Sequence, residues 1–472
     1  MSATTSAPLT SPLAQSVRFA DFGLSAEILR ALADQGYEHP TPIQVEAIPV
    51  VMNGRDVMGA AQTGTGKTAG FALPMIQKLL PHANNSMSPA RHPVRALILT
   101  PTRELADQVA ESVKNYACHT GLRSTVVFGG VDIGPQTTAL RSGVEILIAT
   151  PGRLLDHVQQ KTLNLSQTEI LILDEADRML DMGFLPDLQR IINLLPKQRQ
   201  NLMFSATFSP EIRKLAGTIL NNPLTIEVAR SNATADNVTQ VVYKVEDAEK
   251  RDAVVHIIRS RELKQVLVFS NTKIGASRLA RQLEQEGVKA TAIHGDRTQQ
   301  ERMAALDAFK NGTIDVLVAT DVAARGLDIA EMPCVINYDL PFNAEDYVHR
   351  IGRTGRAGAS GDAISLCTDK DERLLADIEK LIKSKIESVP LSGFAPKRSS
   401  RREEVERPNK SRSAQPDRSA YRSAPPVRKP KADPLFDKPY EPSSPTPVAE
   451  ASSIPKPVKT KVAFLLGGGP KE

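Results

Sequence analysis

Short apolar runs in this chain repeatedly stop at a polar motif, and that arrangement limits the fold more than any other feature. "RALIL" runs into "TPTREL", "VEILIA" into "TPGR", "EILIL" into "DEAD" and "NLMF" into "SAT". Further on, "QVLVF" runs into "SNT" and "IDVLVA" into "TDVAARGLD". Runs rich in Val, Ile and Leu that alternate with helical patterns are the signature of βαβ units and a mainly parallel sheet. In open α/β sheets ligands bind at the carboxyl ends of the strands, so polar motifs gathered there are placed for chemistry. One or two such ends are ordinary β-to-α turns; this many argue for a site.

With 472 residues the chain is too long for one core of ordinary size, and two or three domains are expected. The polar stretch "EVARSNATADNVTQ" separates the two sets of runs and reads as a linker at 230–237. The sets echo each other, "ILIATPGRLLD" against "VLVATDVAARGLD", so two similar folds are expected at 17–229 and 238–392, with short 1–16 and long 393–472 extensions. From Lys397 onward there are 17 Lys and Arg against 9 Asp and Glu, and 13 of the 33 prolines. That tail cannot bury enough apolar surface to offset its ordering entropy, and disorder is expected. Its basic excess fits a loose polyanion tether or a solubilising tail. No run is long enough to span a bilayer and the start lacks a signal-peptide pattern, so a cytoplasmic protein is expected. Cys118, Cys334 and Cys367 are scattered; their spacing fits neither a disulfide framework nor a zinc site, and they read as reduced packing residues.

The octet "AQTGTGKT", 61–68, matches the pattern G-x-x-x-x-G-K-[ST] at every fixed position but the first, where Ala61 stands for Gly. Gly64 and Gly66 free the backbone to turn N–H groups onto phosphate oxygens, Lys67 reaches the β and γ phosphates, and the Thr68 hydroxyl suits Mg²⁺. A Gly/Thr-rich turn before a helix is the alternative. Only the first lobe has this loop, so a nucleotide is expected on lobe one, facing lobe two. Asp174 and Glu175 follow "ILIL", and the alternation of a strand end aims them in different directions. Asp174 is placed to hold Mg²⁺ and Glu175 to orient or deprotonate a water. A surface pair at a helix start, favoured by the helix dipole, is the alternative.

"HRIGRTGR", 349–356, puts Arg350, Arg353 and Arg356 at every third position, and Gly352 and Gly355 point to a loop presenting guanidinium groups. Such arginines can bring positive charge from the second lobe to a transferring phosphoryl group; a solvated basic turn would have the same sequence. In "GYEHPTPIQ", 36–44, Thr41, Pro42 and Gln44 form a capping box, which needs no ligand to explain it. "SAT", "PTREL" and "TPGR" can likewise cap the next helices, as Ser209 before Pro210 is expected to do. They can equally grip a sugar-phosphate backbone, with Arg103 and Arg153 adding charge. The absence of Trp leaves few stacking platforms, which favours backbone over base recognition.

In this order and spacing the motifs resemble the DEAD-box family of ATP-dependent RNA helicases, from Phe19 to roughly the 380s. "DEADRMLDMGF" and the basic, Pro-rich tail are similar to the bacterial RhlE-type branch. The resemblance implies an α/β fold of two RecA-like lobes, each a mainly parallel sheet flanked by helices, with ATP and Mg²⁺ as cofactors. Tyr37 would stack on adenine, Gln44 would bond its edge, and Phe19 would be the upstream aromatic of that element, against the capping-only reading. Gly64, Thr65, Gly66, Lys67 and Thr68 would hold the phosphates. Thr68 and Asp174, the latter through water, would hold Mg²⁺, with Glu175 on the attacking water. Gly326 and Asp328 would meet the nucleotide from lobe two, and Arg353 and Arg356 the γ phosphate, Arg356 as an arginine finger. Ser205 and Thr207 would link the ATP site to the nucleic-acid site, while Asp177 and His349 help join the lobes. RNA would lie on Thr102, Arg103, Gly130, Thr150, Arg153 and Thr320.

Implied partners are RNA, held with little sequence selectivity, and ribosome-assembly or RNA-decay proteins reached through the tail, with a monomeric core and no membrane. The apolar "VAFLLGGG", 462–469, is a candidate docking peptide. Two other readings compete: a DNA helicase or remodeller on the same core, and a non-enzymatic RNA clamp with a vestigial ATP site. The adenine-reading segment and "DEAD" speak against the first, and intact Lys67, Glu175 and Arg356 against the second.

Overall fold

The computed structural model of the chain describes residues 17–60, 65–227, 238–324, 327, 329, 332–355 and 360–394. Outside these residues lie Gly64, Gly326, Asp328, Arg356, the expected linker at 230–237 and the tail from 395 onward, including 462–469.

Two sheets organise the described chain. The first contains β1 (Val57–Ala60), β2 (Ala96–Leu99), β3 (Ser124–Val127), β4 (Ile146–Ala149), β5 (Ile170–Leu173), β6 (Gln200–Ser205) and β7 (Leu224–Glu227). The second contains β8 (Val238–Lys244), β9 (Val266–Phe269), β10 (Ala290–Ile293), β11 (Val316–Ala319), β12 (Cys334–Asn337), β13 (Gly361–Cys367) and β14 (Glu387–Val389). Their strand orders are β3-β4-β2-β5-β6-β1-β7 and β10-β11-β9-β12-β13-β8-β14, one pattern used twice. The pairings within both sheets are parallel, as in β2 with β5 and β9 with β11. The echo between the two halves of the sequence is therefore a repeated topology.

The runs form strands because both of their faces are covered. Ile98, Ile146, Ile148, Ile170, Ile172 and Phe204 point into one core of the first lobe. Leu97, Leu99, Leu147, Leu171, Leu173 and Met203, the alternate residues, point into the other. Each such burial is worth roughly 1.5–3 kcal/mol, and the pleat delivers it to both sides of the sheet. In the second lobe Val266, Val268, Val316 and Val318 face one core and Leu267, Phe269 and Leu317 the other. Phe394, just beyond the expected end of that lobe, still packs against it, with its ring 5.7 Å from that of His256.

Helices start where the caps are. Ser209 Oγ accepts from Ile212 N (3.3 Å) ahead of Pro210–Ile219, as expected. Thr102 Oγ1 accepts from Leu105 N (3.3 Å) ahead of Arg103–Tyr116, whose stripe Leu105, Val109, Val113 and Tyr116 is buried. Parallel strands all end on one edge of each sheet, so the motifs that follow them are gathered there. Cys334 and Cys367 are buried, as packing residues should be, whereas Cys118 is exposed. It follows the last turn of Arg103–Tyr116, past the end of the buried stripe. No helix among the described residues is long and apolar enough to cross a membrane.

Candidate functional site between the lobes

The second fixed glycine of the phosphate-loop pattern, Gly66, has a φ of +88°, which suits glycine, and caps the N-terminus of Lys67–Leu79. A Cβ there would stand 2.3 Å from Gln44 Nε2. Gln44 Oε1 accepts from Thr41 N (2.8 Å), one half of the capping box, while Nε2 donates to the Gly66 carbonyl (2.9 Å). One amide thus closes its own helix and holds the loop, so the capping and site readings of Gln44 are compatible. Thr41 Oγ1 is buried without a hydrogen-bond partner among the described residues.

Lys67 is 6% exposed and its Nζ has no hydrogen-bond partner among the described residues. A buried ammonium at the positive end of a helix costs several kcal/mol unless an anion answers it. Asp174 is buried too, and burial pushes its carboxyl up to about 6 despite the Lys67 charge. An orphaned amine and a carboxyl whose charge burial disfavours fit a phosphate chain and a hard cation that would answer both. Thr68 stands in the first turn of the same helix, and Thr65 precedes it.

Glu175 occupies the left-handed region (φ +51°, ψ +54°) at the N-terminus of Ala176–Asp181, and its amide donates to Asp174 Oδ1 (3.0 Å). This turn separates the two carboxylates. Burial pushes the Glu175 carboxyl up, but the charges of Arg178, Lys67, Arg353 and His349 outweigh it and hold it below the usual carboxylate range. Arg178 Nη1 lies 3.4 Å from Glu175 Oε2. Asp177 Oδ2 accepts from Ala206 N and Thr207 N, both at 3.0 Å, and from Thr207 Oγ1 at 3.3 Å. Ser205 Oγ accepts from Asp177 N (3.3 Å) and donates to the Thr207 carbonyl (2.8 Å). Asp177, Ser205 and Thr207 therefore form one network inside lobe one, and His349 faces them from lobe two.

The structure corrects the reading of "HRIGRTGR" as a loop of presented arginines. His349 and Arg350 lie in the helix Ala344–Ile351, which Gly352 terminates. Arg350 is 1% exposed and turned into the lobe-two core, because Asp321 and Asn337, distant in sequence, supply acceptors there. Arg353 follows the helix, buried, with Nη1 donating to the Leu327 carbonyl (3.0 Å). A cavity of about 400 Å³ brings Glu175, Asp177, Arg178 and Thr207 of lobe one against Asn343, His349 and Arg353 of lobe two. Arg178 Nη2 crosses this cleft to the Val322 carbonyl (2.9 Å).

A second surface forms at the ends of β2, β3 and β4. The Arg103 guanidinium lies over Gly130, where a Cβ would meet Nη1 at 2.1 Å; φ there is +78°. Arg153 donates to Gln136 Oε1 (3.1 Å) and to the Val131 carbonyl (3.0 Å). Burial, then the neighbouring Arg302 charge, push Arg103 down from its usual range, which favours an anion beside it. Thr102 and Thr150 sit at the same edge of lobe one, and Thr320 at the end of β11 in lobe two, all three buried. Across the lobes, Glu104 Oε1 accepts from Gln299 Nε2 (3.0 Å) and pairs with Arg302 Nη2 (2.9 Å). Arg178, Glu104, Gln299 and Arg302 were not legible as site residues. "TREL" and "RTQQER" are visible in the chain, but a pairing across roughly two hundred residues leaves no local spacing. Of the residues expected at the adenine, Phe19 is buried in the lobe-one core with its ring 6.2 Å from Phe22, while Tyr37 is 49% exposed.

Comparison with known proteins identifies the family and the fold. Residues 41–215 match the DEAD/DEAH box helicase family and residues 249–358 the helicase conserved C-terminal domain. The chain is 44% identical over 369 residues to DEAD-box ATP-dependent RNA helicase RhpA of Helicobacter pylori strain B128, spanning 78% of this chain and 73% of the relative. It is 40% identical over 373 residues to DEAD-box ATP-dependent RNA helicase CshA of Bacillus subtilis strain 168, spanning 79% and 74%. Among solved structures it is similar to S. cerevisiae Dbp5 bound to RNA and ADP BeF3, at 32% identity and a TM-score of 0.69, over 79% of this chain and 96% of that one. Mss116p bound to ssRNA and AMP-PNP gives 28% identity and a TM-score of 0.70, over 79% and 80%.

Proposed function

The chain belongs to the DEAD-box family and is an ATP-hydrolysing RNA helicase, and from that premise we propose that it works by closing its two lobes on ATP and RNA together. Closure separates short RNA duplexes locally, or remodels ribonucleoproteins, and hydrolysis reopens the clamp. The lobes are 17–229 and 238–392, joined by 230–237, with 393–472 as a basic appendage in the cytoplasm. The observation that carries this reading is the meeting of Glu175 and Arg178 with His349 and Arg353 in one interlobe cavity.

Bound ATP with Mg²⁺ supplies the transferable phosphoryl group and a counter-charge for it. Lys67 and the Gly64, Thr65, Gly66 and Thr68 segment cradle the phosphates, and Thr68 and Asp174 hold the cation. Tyr37 stacks on adenine, backed by Phe19, and Gln44 reads its edge. Glu175, ionised and held by Arg178, accepts the proton of the attacking water. Arg353 and Arg356 bring positive charge to the γ phosphate, and Gly326 and Asp328 complete the lobe-two side. Asp177, Ser205 and Thr207 tie this chemistry to RNA lying on Thr102, Arg103, Gly130, Thr150, Arg153 and Thr320. The closed state is populated when both ligands favour it, so RNA stimulates hydrolysis. Backbone contacts leave little sequence selectivity. The "DEADRMLDMGF" wording supports placement in the RhlE-type branch.

The test is steady-state ATP hydrolysis without nucleic acid, with single-stranded RNA, and with DNA of the same sequence. RNA-specific stimulation is expected, and Arg356→Ala should remove about 10³-fold or more of it. Equal stimulation by DNA would favour a DNA remodeller; no turnover would leave a binding clamp.

Glu104 and Arg302 give a separate check on closure. Arg302→Ala should raise the RNA concentration needed for half-maximal stimulation, and its effect should shrink when Glu104 is already Ala. A coupling of about 0.5–3 kcal/mol is expected for a contacting pair; additive effects would mean that the pair does not form in the active state. Deleting residues from Lys397 onward should weaken RNA binding most at low salt, where basic residues matter most. Unchanged affinity in low-salt titrations would remove the tail from RNA binding.

A further inference from the structure

The fold also brings Asp34 against the adjacent pair Cys118 and His119, the latter 85 residues further along the chain. Asp34 ends the helix Ala26–Asp34, and Cys118 and His119 lie just past Arg103–Tyr116. His119 Nε2 lies 2.6 Å from Asp34 Oδ2, and one ligand atom from each of the three residues falls within 4.8 Å of the others. We propose that Asp34, Cys118 and His119 form a binding site for a borderline-soft divalent transition metal, of which zinc is the type, on the surface of lobe one.

The donor set carries the choice of ion. Sulfur and imidazole select zinc, cobalt or nickel over magnesium and calcium, which take oxygen ligands. Tetrahedral zinc with bonds of about 2.0–2.3 Å sets neighbouring ligand atoms roughly 3.3–3.8 Å apart. His119 Nε2 and Asp34 Oδ2 stand closer than that, and no pair among the three exceeds 4.8 Å, so small side-chain rotations complete the site. Three protein ligands leave a fourth position for water. The backbone beneath is fixed: the Ala117 carbonyl accepts from Thr120 N (2.8 Å) and Thr120 Oγ1 (2.7 Å), which holds Cys118 and His119 on a short turn. Two helix C-termini meet here, and their partial negative charge favours a cation. The bound ion staples the end of one helix to the end of the other. Among the described residues this is the one cluster of its kind.

The site can be tested without ATP or RNA. Metal-free full-length protein, kept reduced with a non-chelating phosphine, is titrated with Co²⁺ while the thiolate-to-cobalt charge-transfer absorption is followed, and Zn²⁺ is then added in competition. One ion per chain is expected, displaced by Zn²⁺. The band should vanish in Cys118→Ser, and affinity should fall about tenfold or more in His119→Ala and in Asp34→Ala. Cys334 and Cys367 should contribute nothing, since both are buried, with thiols pushed up to about 12 and about 11. Because Cys118 is exposed and the Asp34–His119 pair lies at the surface, the metal-free variants should melt with the wild type. Zn²⁺ should raise the melting temperature of the wild type but not of Cys118→Ser. A band that survives Cys118→Ser, or none up to millimolar Co²⁺, overturns the proposal.

Discussion

Glu175→Gln is expected to slow RNA-stimulated ATP hydrolysis by about 10²–10⁴-fold, the contribution of a positioned base, while RNA binding with a non-hydrolysable ATP analogue stays intact. The substitution keeps the size of the side chain, so the left-handed turn at φ +51° that aims residue 175 into the cleft is retained. It removes the charge that faces Arg178, but Arg178 keeps its bond to the Val322 carbonyl, so the crossing between lobes survives. The electrostatics sharpen the test. Because surrounding cations hold the Glu175 carboxyl below its usual range, it is ionised throughout the neutral region. Wild-type hydrolysis should therefore show no loss from Glu175 protonation as pH falls toward the usual carboxylate range. Single-turnover rates at saturating RNA are the measurement. A loss smaller than about tenfold would remove Glu175 from the base role.

The second large effect falls on stability. Arg350 has five N–H donors, and five acceptors meet them. Nε and Nη2 take the two Asp321 carboxylate oxygens at 2.6 and 2.7 Å, and Nη2 also donates to Asn271 Oδ1 at 2.8 Å. Nη1 donates to Asn337 Oδ1 at 3.2 Å and to the Asp339 carbonyl at 2.6 Å, and the guanidinium lies 4.9 Å from the Phe269 ring centroid. Arg350→Ala leaves these acceptors without their donor, which should cost about 3–5 kcal/mol. For a lobe of this size that is a fall of roughly 10 °C in the midpoint of lobe-two unfolding. Arg350→Lys should rescue little, since an ammonium cannot reproduce the planar fork. Calorimetry on both variants, with Arg353→Ala beside them, checks this. Were lobe-two unfolding to stay at the wild-type temperature in Arg350→Ala, the network would carry no net stability.

The comparison of these two residues shows how far a linear reading reaches. Glu175 was legible because its chemistry is local: an apolar run, a strand end and a carboxylate pair occupy consecutive positions. Arg350 was not, because its neighbours in sequence include Gly352, His349 and Arg353, while its partners in space come from the ends of β9, β11 and β12. Gln44 falls between the two cases. Its cap on Thr41 is written in the spacing of four residues, and its bond to the Gly66 carbonyl is not.

The sequence by itself determined that there are two mainly parallel sheets of similar fold, with motifs placed along one edge of each; the strand order came from the structure. Side-chain alternation along a strand and the turn chemistry at its end act over a few residues, and short apolar runs covered on both faces leave few other folds. Only the tertiary structure decided which charged groups meet. The contact of Arg178 with Val322, the pairing of Glu104 with Arg302 and the gathering of Asp34, Cys118 and His119 join segments separated by some eighty to two hundred residues. Electrostatic and hydrogen-bond energies depend on distances in space, and a linear pattern does not carry those distances.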